Sequence, residues 1–371
     1  MNDTRTIRSF FRILWAIARK DIVDAIKNKT VLSVLGSVAF TVAMYKFMPY
    51  LDRGKDLPNL LLYDADNSAL TVQLEESPQL RLYTYDSQDQ MARAITRADK
   101  SEIGLVFPAG LDRRLAAGET VLLDGYAAYW IDAAKVEELR QLVEDEISFY
   151  VESAALSGTS VEIKTEISRL YPLDPTTPGS GFMVSMAIVL VLIMLGVLVV
   201  VHLMIEEKQT QTLDALMVSP ASPLQMLLGK AVTGVTYCLV GVVAVYAFNG
   251  AYITRWDLAL WAGVCGALFT VGLGLLLGTL FESRQQLTLW GFLLMNVLLV
   301  PMFLVIMDDV LPSTAVTIMR WVPTSVIAWL VRVSFLPRAP AGQMLLRSAY
   351  VLAWAAAVYA LGTWRVRRLE R

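Results

Sequence analysis

Two apolar runs, Gly181 to Ile205 and Ala231 to Thr254, contain no Asp, Glu, Lys or Arg and enclose a short polar island that runs from Glu206 to Lys230. Each run is long enough to cross a hydrocarbon core about 30 Å thick, so the pair reads as a membrane hairpin and the island as its loop. The overall composition agrees. An apolar share of 56% and a mean hydropathy of +0.52 exceed the roughly 45–50% apolar content of soluble domains.

Four further runs, Val31 to Tyr50, Leu258 to Phe281, Leu287 to Met307 and Leu345 to Trp364, bring the expected number of spans to six. Lys46 lies near the end of its run, where its stem can snorkel outward. The expected fold is a polytopic α-helical membrane protein with an α/β extracytoplasmic domain inserted between the first two transmembrane helices. Its divisions are an amphipathic segment at 1–29, the first span at 30–50, a polar domain at 51–180, and a transport domain at 181–371. That last part contains the loop at 206–230 and an outer region at 308–344.

Charge is unevenly placed. Residues 51–180 hold 12 Lys and Arg against 23 Asp and Glu, a balance of −11, while the rest of the chain carries +9. Arg5, Arg8, Arg12, Arg19, Lys20, Lys27 and Lys29 precede the first span; Lys208, Lys230, Arg284, Arg365, Arg367, Arg368 and Arg371 fall on the same side of a six-span arrangement. The positive-inside rule makes that side cytoplasmic. The chain is therefore expected in the cell's inner or plasma membrane with both termini in the cytoplasm and residues 51–180 outside, and with an uncleaved signal anchor at the start.

On a helical wheel the cations from Arg5 to Lys27 occupy an arc of about 120°, opposite Phe10, Phe11, Leu14, Trp15, Ile17, Ala18 and Ile22. The pattern predicts a helix lying on membrane lipids, or one packed on protein. In the polar domain, Leu60 to Tyr63, Leu80 to Tyr85, Ile103 to Phe107 and Val121 to Leu123 read as strands. Ser87 and Gln90 form a capping box, and a long helix is expected from Ile131 to Leu156. Between 308 and 338, Pro312 and Pro323 bracket stretches too short to span, with Trp321, Trp329 and Phe335 as interfacial aromatics. One or two short helices dipping back from the outer surface are expected there, or an amphipathic loop.

Several chemistries are disfavoured. Gly229-Lys230 superficially matches the end of a P-loop, but Leu224 stands where its first glycine belongs and Ala231 where Ser or Thr would bind magnesium. His202 is the sole histidine and reads as structural, and no metal site is expected. Cys238 and Cys265 sit in apolar runs and imply no disulfide framework. Spans two to five carry no mid-membrane charge, which argues against an ion-coupled carrier. Their polar residues are Ser185, Thr233, Thr236, Asn249, Thr270, Thr279, Thr288 and Asn296, of which Asn296 is the candidate for facing a polar cavity. Gly263, Gly266, Gly272, Gly274 and Gly278 give span four a small face suited to close packing.

Taken together, the chain resembles the permease subunits of type-2 ATP-binding-cassette exporters, in the branch with a large extracytoplasmic domain between the first two transmembrane helices. The matching residues are Glu206-Glu207-Lys208 through Thr212-Leu213, then Leu216, Ser219-Pro220, Pro223 and Gly229-Lys230. Further likeness lies in Ala94-Ile95, Ile103 to Pro108, Leu115 to Gly118, and Trp321-Val322-Pro323 with Arg332. Gln211 departs from the glycine common in that family.

The resemblance implies a coupling helix at Glu206, Glu207, Lys208, Thr212, Leu213, Leu216, Ser219 and Pro220 that docks on a separate ABC ATPase. ATP and Mg would belong to that partner; this chain itself would bind no cofactor. It also implies a second permease subunit, identical or paralogous. Spans two and five would line the path, with Met183, Met186, Met194, Met295 and Asn296 facing an amphipathic, lipid-like or drug-like cargo. The chain is thus expected to be a transporter subunit without its own ATPase site, with no nucleic-acid partner. The alternative is a membrane-anchored sensor or assembly scaffold whose outer domain binds a ligand or partner.

Overall fold

The computed structural model describes residues 57–97, 102–117, 119–153, 163–172, 175, 180–209, 223–305 and 311–369, with scattered positions between 12 and 40. Two compact units emerge, one of Pro49–Gly181 and one of Met1–Met48 with Phe182–Arg371. Most of the expected first span and most of the N-terminal amphipathic segment lie outside the described residues.

The first unit is an α/β fold. Its strands are β1 (Asn59–Asp64), β2 (Arg81–Tyr85), β3 (Ile103–Phe107), β4 (Val121–Ala128) and β5 (Ile163–Leu170), in the order β2-β1-β3-β4-β5. β1 runs parallel to β2 and β3, β3 antiparallel to β4, and β4 parallel to β5. Helices α1 (Ala69–Glu75), α2 (Gln88–Arg97), α3 (Leu111–Ala116) and α4 (Ala133–Ser153) complete it. Both sheet faces are covered, which explains the continuous apolar run of β1. Leu60 and Leu62 cluster with Leu70, Leu74, Leu105, Phe107 and Leu139, while Leu61 faces Met91 and Ile95 on the other side. Gly104 lets α2 settle on β3: an added Cβ would overlap Ile95 Cδ1 and sit 3.2 Å from Met91 Sδ.

Ser87 accepts the Gln90 N–H at 3.3 Å, one of the two bonds of the expected capping box. β4 is longer than its sequence pattern indicated, and β5 was not foreseen. Polar residues hold inward positions on β5: Thr165 is buried, and Arg169 donates to the Ala128 carbonyl at 3.2 Å. Glu144 joins α4 to this strand by accepting the Thr165 N–H at 2.9 Å, and within α4 it pairs with Arg140 at 2.6 Å.

At the carboxyl ends of β1 and β3, where open α/β sheets commonly take ligands, the chain's own carboxylates are engaged by backbone. Asp64 accepts the Ser68 N–H at 2.6 Å, Asp66 that of Gly110 at 2.6 Å, and Asp112 that of Ala69 at 2.9 Å.

The second unit is helical. Among the described residues five helices are long and apolar enough to cross a membrane, Gly181–Glu206, Gln225–Phe248, Trp256–Leu280, Gln285–Leu304 and Ala341–Arg368. A bent pair, Ser313–Arg320 and Pro323–Val333, turns through 76° between its halves. The corresponding elements are α5 (Ser180–Ile193), a π-helical segment (Met194–Val199), α6 (Val200–Gln209), α7 (Pro223–Phe248), α8 (Trp256–Leu280), α9 (Arg284–Leu304), α10 (Ser313–Arg320), α11 (Pro323–Val333) and α12 (Ala341–Leu369). The two short helices expected between the last spans are α10 and α11, and Pro323 opens α11 where its missing N–H does no harm.

α7 departs from the sequence reading by starting inside the polar island. Lys230 is tolerated in the helix because its ammonium lies 3.6 Å from Asp21 of the N-terminal segment. Thr233 and Tyr237 donate to the Ala18 and Ile22 carbonyls at 3.3 and 2.6 Å, so that segment leans on α7. The helix ends at Phe248, short of the expected Thr254, which puts Asn249 in the terminal turn, its side chain donating to the Val245 carbonyl at 2.9 Å.

The glycines of α8 bring it against the π-helical segment, backbone to backbone. A Cβ on Gly274 would overlap the Gly196 carbonyl oxygen and lie 3.1 Å from Val197 Cα, and one on Gly278 would lie 2.8 Å from Met204 Cβ. Gly274→Ala must therefore part the two helices, a destabilisation of about 1–3 kcal/mol. A lower melting midpoint in detergent, with Gly342→Ala (open space around it) unchanged, is the expected outcome.

Candidate functional site

The polar end of the helical unit gathers the carboxyl ends of α6, α8 and α12 with the amino ends of α7 and α9. Lys208 reaches from α6 across to the end of α8. Its Nζ donates to the carbonyls of Gly278 at 2.7 Å, Thr279 at 3.3 Å and Phe281 at 3.0 Å. A helix leaves its last carbonyls without partners, and its dipole puts negative charge there, so an ammonium satisfies both needs. Burial draws the Lys208 pKa below the ordinary lysine value, against the opposing attraction of Glu282. The three carbonyls replace the lost water.

α9 begins directly after this cap. Ser283 accepts the Gln286 N–H at 3.3 Å and Gln286 Oε1 accepts the Glu282 N–H at 3.0 Å. Through Lys208 and this reciprocal cap, α6, α8 and α9 meet within a few residues.

The sequence-predicted coupling residues divide. Glu206 is part-exposed, with His202 Nε2 3.8 Å away one turn earlier. Glu207 lies in α6. Lys208, expected on a docking surface, is turned inward as the cap. Thr212, Leu213, Leu216, Ser219 and Pro220 fall outside the described residues.

The pathway candidates also divide. Most of α5 is buried, but Met183 is exposed and Met186, Ala187, Leu190 and Met194 are part-exposed, forming one helical stripe. Met194 opens the π-helical segment, a form of helix found often at functional sites. On α9, Met295 shares an inward stripe with Gly291, Leu298 and Met302, and Phe182 meets Phe303 at 6.1 Å between ring centroids. Asn296 is on the outward face, and its amide donates to the Phe292 carbonyl of its own helix at 2.8 Å. Leu289, Phe292, Leu293 and Val297 lie on the exposed side with it.

Two features escaped the sequence reading. The Lys208 cap is invisible because its partners are backbone atoms, and the π-helical turn because Met194–Val199 has the composition of any apolar span. Gly274 and Gly278 were the available signal for the close crossing. Among the described residues no three His, Cys, Asp or Glu side chains are placed to hold a metal ion.

The class defined by these helices is that of a polytopic helical membrane protein. Residues 29–365 match the ABC-2 family of transporter proteins, and the chain belongs to that family. It is similar to a probable multidrug ABC transporter permease, YbhR, of Escherichia coli K12, with 24% identity over 300 residues covering 77% of this chain and 79% of the relative. The protein of the same name in Escherichia coli O157:H7 matches equally. No solved structure matches the chain. Permeases of ABC transporters lack an ATPase site of their own, so membership implies an ATPase partner.

Lys208→Met keeps the apolar stem and removes the donors. Loss of this cap is expected to destabilise the helical unit by about 1–3 kcal/mol, measured as a lowered melting midpoint, with Lys208→Arg intermediate.

Proposed function

We propose that the chain is the membrane-spanning subunit of an ATP-driven exporter that moves an amphipathic, lipid-like or drug-like compound outward. A separate ATPase subunit binds ATP and magnesium, and two copies, or this chain and a homologous partner, make up the membrane part. The name of the Escherichia coli relative supports the cargo class, as do the apolar walls and the methionine stripe of α5, which can adapt to varied shapes.

The observation that carries the reading is the Lys208 cap. A motor that pulls on the loop at 206–230 must move something stiff, and Lys208 fastens the start of that loop to the end of α8. Displacement of the loop then passes to α8 and, through the Gly196–Gly274 crossing, back to the π-helical turn beside the methionine stripe. The proposed orientation puts the Lys208 end and both termini in the cytoplasm and residues 51–180 outside. The cations Lys208, Lys230, Arg365, Arg367 and Arg368 at the corresponding helix ends support it. The outward face of α9 is the proposed seat of the second permease subunit.

The test is co-purification with candidate ATPases and reconstitution in liposomes. Leu213→Asp and Glu206→Lys are expected to lower cargo-stimulated ATP hydrolysis at least about tenfold while the melting midpoint stays unchanged. Unaltered assembly and unaltered ATP-driven export in both variants refute coupling through this loop.

A further inference from the structure

The bent pair α10 and α11 sits in a stretch of unusual charge. From residue 311 to residue 350 the sequence has Arg320, Arg332, Arg338 and Arg347 and no Asp or Glu. Under the orientation proposed above, these cations stand on the side where the positive-inside rule disfavours them, so their presence asks for a reason.

The amino end of α11 supplies one. Val322 cannot cap it and no side chain does; Pro323 contributes no N–H. Thr324 spends its hydroxyl on the Leu298 carbonyl of α9 at 2.5 Å. Ser325, only 5% exposed, has a buried Oγ with no hydrogen-bond partner. The helix amino end directs partial positive charge and N–H groups toward the same place. One turn further on, and therefore on the same face, Trp329 lies under the Arg347 guanidinium at 4.0 Å, with the Trp321 ring 5.7 Å from that cation. Trp321 is 37% exposed and Val322 and Pro323 are part-exposed, so the surface lies directly beside this buried helix end.

We propose that the amino end of α11, with Ser325 and Arg347, is an anion-recognition site for a phosphate or carboxylate group, and that on an exporter it selects cargo with an anionic headgroup. The cargo part rests on the exporter reading; the site itself does not. An incoming anionic oxygen accepts hydrogen bonds from the Ser325 hydroxyl and the uncapped helix-end N–H groups, while Arg347 supplies charge and its Trp platform accommodates the adjoining apolar atoms.

The full chain in dodecylmaltoside is titrated with dioctanoyl phosphatidic acid, dioctanoylglycerol and inorganic phosphate, with the melting midpoint and native mass spectrometry as readouts, and no ATPase or ATP present. Phosphatidic acid is expected to bind saturably and dioctanoylglycerol not to bind. Ser325→Ala is expected to weaken phosphatidic acid about tenfold without lowering the unliganded midpoint, since it removes a hydroxyl that bonds nothing. Arg347→Gln is expected to weaken it further and Arg347→Lys less.

Equal binding by wild type and Ser325→Ala, or binding of dioctanoylglycerol as tight as that of phosphatidic acid, overturns the site. Binding of inorganic phosphate with the same Ser325 dependence upholds the site and assigns it to free anions. Asp308 and Asp309 lie outside the described residues; binding seen only after Asp308→Asn and Asp309→Asn means that the chain's own carboxylates fill the site, and overturns the proposal. Ser325-dependent binding by a chain that exports nothing when reconstituted retains the site and retracts the exporter reading.

Discussion

The helical unit depends on the approach of α8 to the π-helical segment at Gly196, Thr270 and Gly274. Lipid offers no hydrophobic drive between helices, so association rests on van der Waals packing and interhelical hydrogen bonds. Two glycines facing each other let backbone meet backbone, and Thr270 folds its hydroxyl onto the Gly266 carbonyl of its own helix at 2.9 Å rather than projecting it. A side chain at Gly274 has nowhere to go. The same contact fixes where Met194 lies, and with it the part-exposed stripe of α5.

Lys208 extends that contact to the polar end. Between the crossing and the cap, α6 and α8 run side by side, held at Gly278 by Met204 and at their ends by three carbonyl bonds to one ammonium. The pair has the character of a lever, short and stiff, with one end at the loop and the other beside the methionine stripe. By contrast α9 buries only a narrow stripe and turns Leu289, Phe292, Leu293 and Val297 outward. Pro301 interrupts its ladder close to the point where Thr324 of α11 takes the Leu298 carbonyl.

Much of this was written in plain residue patterns. Charge-free runs mark the spans because a buried charge in hydrocarbon is expensive, and the α8 glycines announce close packing. Strands β1 to β3 follow from apolar runs flanked by turn residues. β5 did not, since Thr165 and Arg169 occupy inward positions and break the alternation. The start of α7 was hidden because Lys230 looks like a loop residue until Asp21, far away in sequence, is seen beside it. Lys208 was read as surface charge for the same reason, as its partners are carbonyls that every residue possesses. Asn296 was expected to face a cavity on polarity alone, whereas its position on the helix turns it outward.

The central claim is that α6 and α8 move as one body when a motor acts on the loop. Spin labels at the exposed positions Gln209 and Glu282, with Cys238 and Cys265 replaced, report their separation by pulsed dipolar spectroscopy in the reconstituted complex, with a second label pair at Met183 and Val300 for α5 against α9. On addition of a non-hydrolysable ATP analogue, the account requires an unchanged Gln209–Glu282 distance and a shifted Met183–Val300 distance. A shift between Gln209 and Glu282 with Met183 and Val300 static would contradict it.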